Sequence, residues 1–289
     1  MEVREPAVAG TFYDGAAGKL WSSVEQAFQD KAFGPGKLPS VSLERQGDLL
    51  ALISPHAGFM YSGPAAAQAY TRLATAGLPE TIVLLGPNHQ GFGSPYSVFA
   101  KGSFKTPLGE VEVDEDLIGH FMVHLPFFEH DPDAHRREHS LEVQLPFIQY
   151  LGNSKIKIAP ILISTHPFDS SEDGKLDEIA DVLAECLETH NALLVISTDL
   201  SHYHNINLAR QLDRITTRAI LTMDGRRLLA TVREYEISMC GAIPTAIGLM
   251  ACESLNAGYA AMLSYYTSGD MPDGDPEKVV GYTSIEICR

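Results

Sequence analysis

The chain has 289 residues, of which 45% are hydrophobic and 20% are charged, the composition of an ordinary globular protein. Acidic residues outnumber basic ones by 37 to 21, and the formal charge of −16 makes nucleic acids and anionic membranes unfavourable partners. Because the N-terminus lacks an apolar signal core and no stretch reaches the roughly 18 apolar residues of a membrane helix, we expect a cytoplasmic protein.

Short apolar runs alternate with segments of helical periodicity along the chain. In chain order the predicted elements are strand 49–53, helix 65–76, strand 81–85, a two-stranded excursion within 96–113, helices 114–124 and 140–151, strand 156–163, helix 173–189, strand 192–197, helices 207–223 and 242–257, and strands 260–266 and 279–287. Four strands, 49–53, 81–85, 156–163 and 192–197, are continuously apolar, which is typical of parallel strands covered on both faces. The pattern predicts a single α/β domain over residues 1–289, with helices on both faces of a mostly parallel central sheet.

Histidines follow three of the predicted strands at their carboxyl ends. His56 follows the first strand, His89 the second, and His202 the strand at 192–197. Loops converge at this edge of an open α/β sheet, and ligands bind there. The loops of His56 and His89 begin with proline and contain glycine, which fixes the direction of a side chain near a ligand. We therefore predict that His56 and His89 bind a transition metal, since imidazole is a common ligand of zinc, copper and iron.

Spacing leaves the anionic ligand of this site open among Glu142, Asp199 and Cys240. Cys240 lies in a small-residue turn before a predicted helix, where the helix N-terminus favours a thiolate. The other cysteines, Cys186, Cys252 and Cys288, lie on apolar faces, form no CxxC pair and are expected to be inert free thiols.

Two further polar pairs carry candidate chemistry. Asp199 precedes His202 by three residues, so its carboxylate either orients that imidazole as a general acid or base or caps a turn. His139 and Glu142 form an HxxE pair, which occurs in zinc hydrolases but also suits a network at a helix start. The remaining histidines are predicted to be solvated: His120, His124, His130, His135, His166 and His190.

Six motifs, in order and nearly from end to end, resemble the Memo family, whose bacterial and archaeal members are also called AmmeMemoRadiSam system protein B. Each motif is weak alone, but six in sequence are specific. They are Arg4–Tyr13, Ser54–Gly63, Leu85–Gly91, Thr106–Gly109, Glu138–Pro146 and Ser197–Tyr203.

The resemblance implies a fold similar to class III extradiol ring-cleaving dioxygenases, which hold Fe(II) with two histidines and a glutamate. By motif, His56 and His89 match the histidine ligands and His202 the acid–base histidine. Cys240 matches the position where Memo proteins carry cysteine instead of that glutamate. A thiolate shifts metal preference towards Cu(I), zinc or a differently tuned iron, so ring cleavage itself does not follow.

These inferences favour a metal-dependent oxidoreductase, with iron as the first expectation and copper or zinc as alternatives. His202 is expected to transfer protons, with the Asp199 carboxylate orienting its ring. Four further residues are expected to contact substrate or support the ligands: Tyr61, Asn88, His139 and Glu142. The family further implies receptor-kinase signalling for animal members and a radical-SAM system protein as partner for prokaryotic ones.

Two alternatives belong to other classes. A binding module would hold a peptide or small molecule in the same cleft, with Phe59, Tyr61 and Tyr203 as walls. A zinc hydrolase would use His139 and Glu142.

Overall fold

Strands and helices alternate along the chain in the computed structural model, which describes residues 2–152 and 155–289. The strands are β1 (Val3–Arg4), β2 (Leu49–Ser54), β3 (Thr81–Pro87), β4 (Tyr96–Val98), β5 (Ser103–Thr106), β6 (Gly109–Glu112), β7 (Glu129–His130), β8 (Lys157–Ile163), β9 (Ala192–Ser197), β10 (His202–His204), β11 (Tyr259–Thr267) and β12 (Val279–Cys288). The helices are α1 (Ala17–Gln29), α2 (Phe59–Ala76), α3 (Glu115–His124), α4 (Pro132–Arg136), α5 (Leu145–Gly152), α6 (Asp173–Thr189), α7 (Ile206–Ile220), α8 (Gly225–Glu234) and α9 (Ala242–Ser254). Short 3₁₀ helices cover Glu142–Gln144, Ser170–Glu172 and Ser268–Asp270.

The four strands at the centre of the main sheet are parallel. The strand order is β10-β12-β2-β9-β3-β8-β4-β7, with β11 paired to β12, and the contacts among β2, β9, β3 and β8 are all parallel. Strands β12 and β4 flank this centre in antiparallel orientation. Every residue of β2 and β9 is buried, as continuous apolarity predicts for strands covered on both faces. The predicted α/β fold is confirmed.

Helices cover the two faces of the sheet. Helix α2 packs on β2 and β12, and α1 and α5 pack against α2. On the other face α9 packs on β9 and β3, with α6 and α8 against α9 and α3 against α6. No helix in the described residues is both long and apolar enough to span a membrane.

The region 96–113 differs in detail from the predicted excursion. Strand β4 joins the main sheet beside β8, and only β5 and β6 leave it as a hairpin. This hairpin forms a second, three-stranded sheet because β1 pairs with β5 in parallel. A contact between residues about a hundred positions apart leaves no mark on local hydrophobic periodicity.

The helix boundaries differ from the predicted ones where tertiary contacts compensate for an unfavourable local sequence. Helix α2 begins at Phe59, six residues before its predicted start, and contains Pro64. Its first turn is held from outside, because the Phe59 amide donates to the Phe12 carbonyl at 2.7 Å. The predicted helix 140–151 divides into a 3₁₀ turn and α5, where Pro146 in the first turn lacks an amide donor. Helices α1, α4 and α8 were not predicted.

Candidate metal centre

The site lies at the carboxyl edge of the central strands. His56 follows β2, His89 follows β3 and Asp199 follows β9, each by two residues. Cys240 comes from the other direction, directly before Gly241, which caps the N-terminus of α9. Parallel strand order brings these loops to one edge, where ligands bind in α/β sheets.

His56, His89 and Cys240 converge on one point. Cys240 Sγ lies 3.3 Å from His56 Nε2, and the rings of His56 and His89 are 5.1 Å apart between centroids. One ligand atom from each residue lies within 4.8 Å of the other two. Two imidazoles and a sulfur in this arrangement suit a transition metal.

Buried polar partners fix the tautomer of His56. Ser197 Oγ donates to the Ser140 carbonyl at 2.6 Å, so its hydrogen is already used. Gln144 Nε2 donates to Ser197 Oγ at 2.9 Å and also to the Pro55 carbonyl. His56 Nδ1, 2.8 Å from Ser197 Oγ, must therefore be the protonated nitrogen, which leaves the lone pair on Nε2 facing Cys240.

The environment of His56 favours the neutral ring. His56 is buried, and this burial, reinforced by the nearby His89 and His139, lowers the pKa of His56 well below its usual range. A metal ligand must be unprotonated at the coordinating nitrogen. His56 therefore meets this condition without a proton having to leave.

Glu138 orients His89. Its carboxylate accepts from the His89 amide and lies 2.9 Å from His89 Nδ1, so His89 Nε2 is turned towards Cys240. Burial disfavours the charged form of His89, but hydrogen bonds to Cys240 and Glu138 outweigh it and raise the pKa of His89 to about 10. Burial likewise opposes ionisation of Glu138, yet the hydrogen bond and charge of His89 lower the pKa of Glu138 to about 2.

Backbone geometry holds the sulfur of Cys240. The Asp199 amide donates to Sγ at 3.2 Å, which fixes the position of the sulfur beside His56. The Gly241 amide donates to Thr198 Oγ1 at 3.0 Å, and a Cβ added to Gly241 would lie 2.5 Å from Thr198 Cβ. Only glycine allows this approach of the α9 start to the end of β9.

Ser238 rather than Asp199 orients His202. The Ser238 carbonyl lies 2.8 Å from His202 Nδ1 and, being an acceptor only, requires hydrogen on Nδ1. Asp199 instead accepts from the His56 amide at 2.9 Å and fixes the loop after β2. Burial raises the pKa of Asp199, while the charge of His202 opposes the rise. Ser238, which was not among the predicted site residues, thus takes the role of orienting His202 that was predicted for Asp199.

A cavity of about 750 Å³ opens over the three converging side chains. His139 and His202 lie in its wall, and His139 stacks on His89 at 4.6 Å between ring centroids. Tyr61 and Tyr203 line the cavity as expected, and Tyr203 is 73% exposed at its rim. Phe59, predicted as a third wall residue, is instead buried in the hydrophobic core.

Comparison with known proteins identifies the family. A family model described as Memo-like protein matches residues 4–286. The chain belongs to the Memo family. MEMO1 family proteins of Methanopyrus kandleri and Sulfurisphaera tokodaii are 37% and 39% identical to it over 286 residues, which cover 99% of both chains in each pair. That of Methanobrevibacter smithii is 38% identical over 285 residues, or 98% of each chain. The family predicted from the six motifs is confirmed.

Two residues predicted to contact substrate or support ligands have structural partners in this Memo-family chain. Glu142 is fully buried and does not line the cavity, because Arg4 and the amides of Ala7 and Val8 bind its carboxylate. Asn88 Oδ1 accepts from the amides of Gln90 and Gly91 at 3.1 Å, and Asn88 Nδ2 donates to the Phe92 carbonyl. Asn88 thus shapes the loop that carries His89.

One of the six histidines predicted to be solvated is in the core. His135 is 1% exposed, with its ring against Phe99 and Phe104. Burial and then the positive charge of Arg4 lower the pKa of His135 to about 3. The prediction was wrong because Phe99 and Phe104, distant in sequence, cover a segment with no apolar periodicity of its own.

Replacing Glu138 by glutamine tests the support of His89. The amide of glutamine keeps the size of the carboxylate but cannot accept with both terminal atoms, so His89 loses part of its support. Changes of this kind behind a ligand typically weaken metal affinity about 10–100-fold. Competition with a chelating dye measures the loss for Co²⁺. An affinity equal to wild type would show that Glu138 does not support the ligand.

Proposed function

We propose that the protein is a metal-dependent oxidoreductase whose metal, iron first and copper or zinc as alternatives, is held by His56, His89 and Cys240. The convergence of three donor atoms, with Nε2 of His56 directed at the sulfur, carries this proposal. The donors fit a transition metal because buried partners engage the Nδ1 hydrogens of both imidazoles. His89, whose pKa is raised, releases its Nε2 proton when an ion binds, whereas His56 has none to release.

The donor set favours catalysis over a structural role. Structural zinc sites are closed by four protein ligands, whereas three protein ligands leave a position for substrate. Here the three donors face a cavity of about 750 Å³. A redox-active ion bound there supplies electron transfer to or from substrate or O₂.

The chain's own residues bind substrate and move protons. His202, held by Ser238 through Nδ1, has Nε2 available in the cavity wall as a proton acceptor or donor. Phe12, Tyr61 and Tyr282 also line the cavity and suit a substrate with an apolar body. His139, which stacks on His89 and meets the tilted ring of Phe12, limits the space beside the ligands.

A binding module is the second candidate, favoured by the exposed rim of the cavity. Met60 is 71% exposed and Tyr203 73% exposed, which leaves apolar surface for a larger ligand. In that case the metal orders the cavity without turnover. The hydrolase alternative loses its carboxylate, since Glu142 is bound by Arg4 outside the cavity.

Elemental analysis and O₂ uptake test the proposal together. Tag-free protein purified without oxygen is expected to contain about one iron or copper ion per chain at this site, because three protein ligands hold it. With ascorbate as electron donor, the loaded protein should consume O₂ faster than the same concentration of free ion. Bound metal without such uptake would favour the binding module. Absence of tightly bound iron, copper and zinc, even after reconstitution, would contradict both the metal site and the proposed function.

A further inference from the structure

A second group of metal-ligating side chains lies outside the cavity, between α3 and α6. His120 and His124 are four residues apart in the last turns of α3, and Glu185 faces them from α6. One ligand atom from each lies within 4.8 Å of the other two. Histidines at i and i+4 share one helix face, the spacing that lets two imidazoles hold one ion.

Hydrogen bonds leave a nitrogen of His124 free to bind an ion, and the neighbouring ligand atoms lie close together. His124 Nδ1 lies 3.0 Å from the His120 carbonyl, which only accepts, so Nδ1 carries the hydrogen and Nε2 is free. Glu185 Oε1 lies 3.2 Å from His120 Nε2. Two ligand atoms bound tetrahedrally to one zinc at its usual bond lengths lie about 3.3 Å apart, so the pair needs little movement to bind.

His120 Nε2 also lacks a normal partner. The atom is shielded from solvent and makes no hydrogen bond of good geometry to any residue within 2–152 or 155–289, although Glu185 is near. An ion between the two groups would satisfy both atoms, since shielded polar atoms are normally paired.

The surroundings favour a cation. Helix α3 ends at His124 and α6 ends at Thr189, so the negative ends of two helix dipoles lie close to the three side chains. His190 follows α6 with its ring 6.1 Å from that of His120. The formal charge of −16 further raises the local concentration of cations.

We propose that His120, His124 and Glu185 form a second metal site, which binds a divalent transition ion of the zinc class and fastens α3 to α6. Nitrogen and carboxylate donors without sulfur distinguish it from the cavity site. The proposal does not depend on the function assigned to the cavity.

Co²⁺ titration of the full-length, tag-free protein tests this site. Co²⁺ at Cys240 produces a thiolate-to-cobalt charge-transfer band, whereas Co²⁺ at the second site produces only ligand-field bands. We expect wild type to bind, besides the Co²⁺ at Cys240, one further equivalent that adds only ligand-field bands. His124→Ala should weaken this further equivalent at least tenfold. His124 is exposed, so the fold should persist. His166→Ala, which removes another exposed histidine, is the matched control and should bind like wild type.

Glu185→Gln provides a second variant that keeps side-chain size and should also weaken this equivalent about tenfold or more. The site is overturned if wild type binds no Co²⁺ outside the thiolate site, or if His124→Ala and Glu185→Gln both keep wild-type affinity. If wild type shows no charge-transfer band but still binds the equivalent with only ligand-field bands, the cavity site is contradicted and the second site is supported.

Discussion

Replacing His56 by alanine is expected to lower the affinity of the cavity for iron or Co²⁺ by more than about 100-fold. This exceeds the loss expected when a residue that only hydrogen-bonds to a metal ligand is changed. The substitution removes Nε2, which lies 3.3 Å from Cys240 Sγ, and leaves two donors. Two ligands on separate loops lose most of the chelating advantage of three. Chelator competition on anaerobic protein measures the change, and Co²⁺ spectra show whether the thiolate band disappears.

Two companion variants separate ligand loss from loss of structure. His56 is buried and hydrogen-bonded to Ser197, so its removal also leaves buried polar groups unpaired, at a cost of about 1–3 kcal/mol. His89 is 27% exposed in its side chain, and the buried Glu138 keeps the amides of residues 89, 139 and 140 as donors when the ring is removed. His89→Ala should therefore lose metal while the fold persists. His166→Ala should keep the metal. Stoichiometric, tightly held metal in both His56→Ala and His89→Ala would disprove the site.

The centre of the fold could be predicted from sequence because burial on both faces leaves a local mark. The continuous apolar runs of β2, β3, β8 and β9 correspond to the four parallel strands. Strand β1 could not be found this way, because its two residues are defined by pairing with β5. Edge strands of this kind depend on long-range contacts rather than on their own periodicity.

The candidate ligands could also be predicted from the sequence, since strand ends predict where loops converge. The residues that hydrogen-bond to the site histidines and orient them could not. Glu138 supports His89 from 49 positions away, and Ser238 orients His202 from 36 positions away. Glu138 carried one signal, its place in a polar cluster with His139, but spacing favoured the pair His139 and Glu142. The choice between the two glutamates is made by packing around the N-terminal segment.

That packing makes Glu142 the centre of a buried network. The side chains of Arg4 and Glu142 are 2% and 0% exposed and form an ion pair. The same carboxylate accepts from the amides of Ala7 and Val8 and from the hydroxyl of Tyr13. Burial, reinforced by the charge of Glu142, raises the pKa of Tyr13 far above its usual range, so this hydroxyl remains a donor. Glu142 thus fastens the whole N-terminal segment to the domain.

Glu142→Ala is therefore expected to lower the free energy of unfolding by about 3–5 kcal/mol, the cost of leaving a buried charge without its partner. Arg4 would keep its positive charge in a site closed to water, and two amides and a hydroxyl would lose their acceptor. Urea denaturation followed by circular dichroism measures the change.

An exposed ion pair in the same region provides the matched control. Lys105 Nζ lies 3.1 Å from Glu5 Oε1, with side chains 45% and 65% exposed, so Lys105→Ala should cost less than about 1 kcal/mol. Replacing both buried partners, as Arg4→Met with Glu142→Leu, should recover part of the loss because no unpaired charge remains. If Glu142→Ala costs no more than Lys105→Ala, the buried pair does not hold the segment. Because this segment continues into Thr11 and Phe12 in the cavity wall, the same variant should also weaken metal retention, which links the stability of the N-terminus to the site.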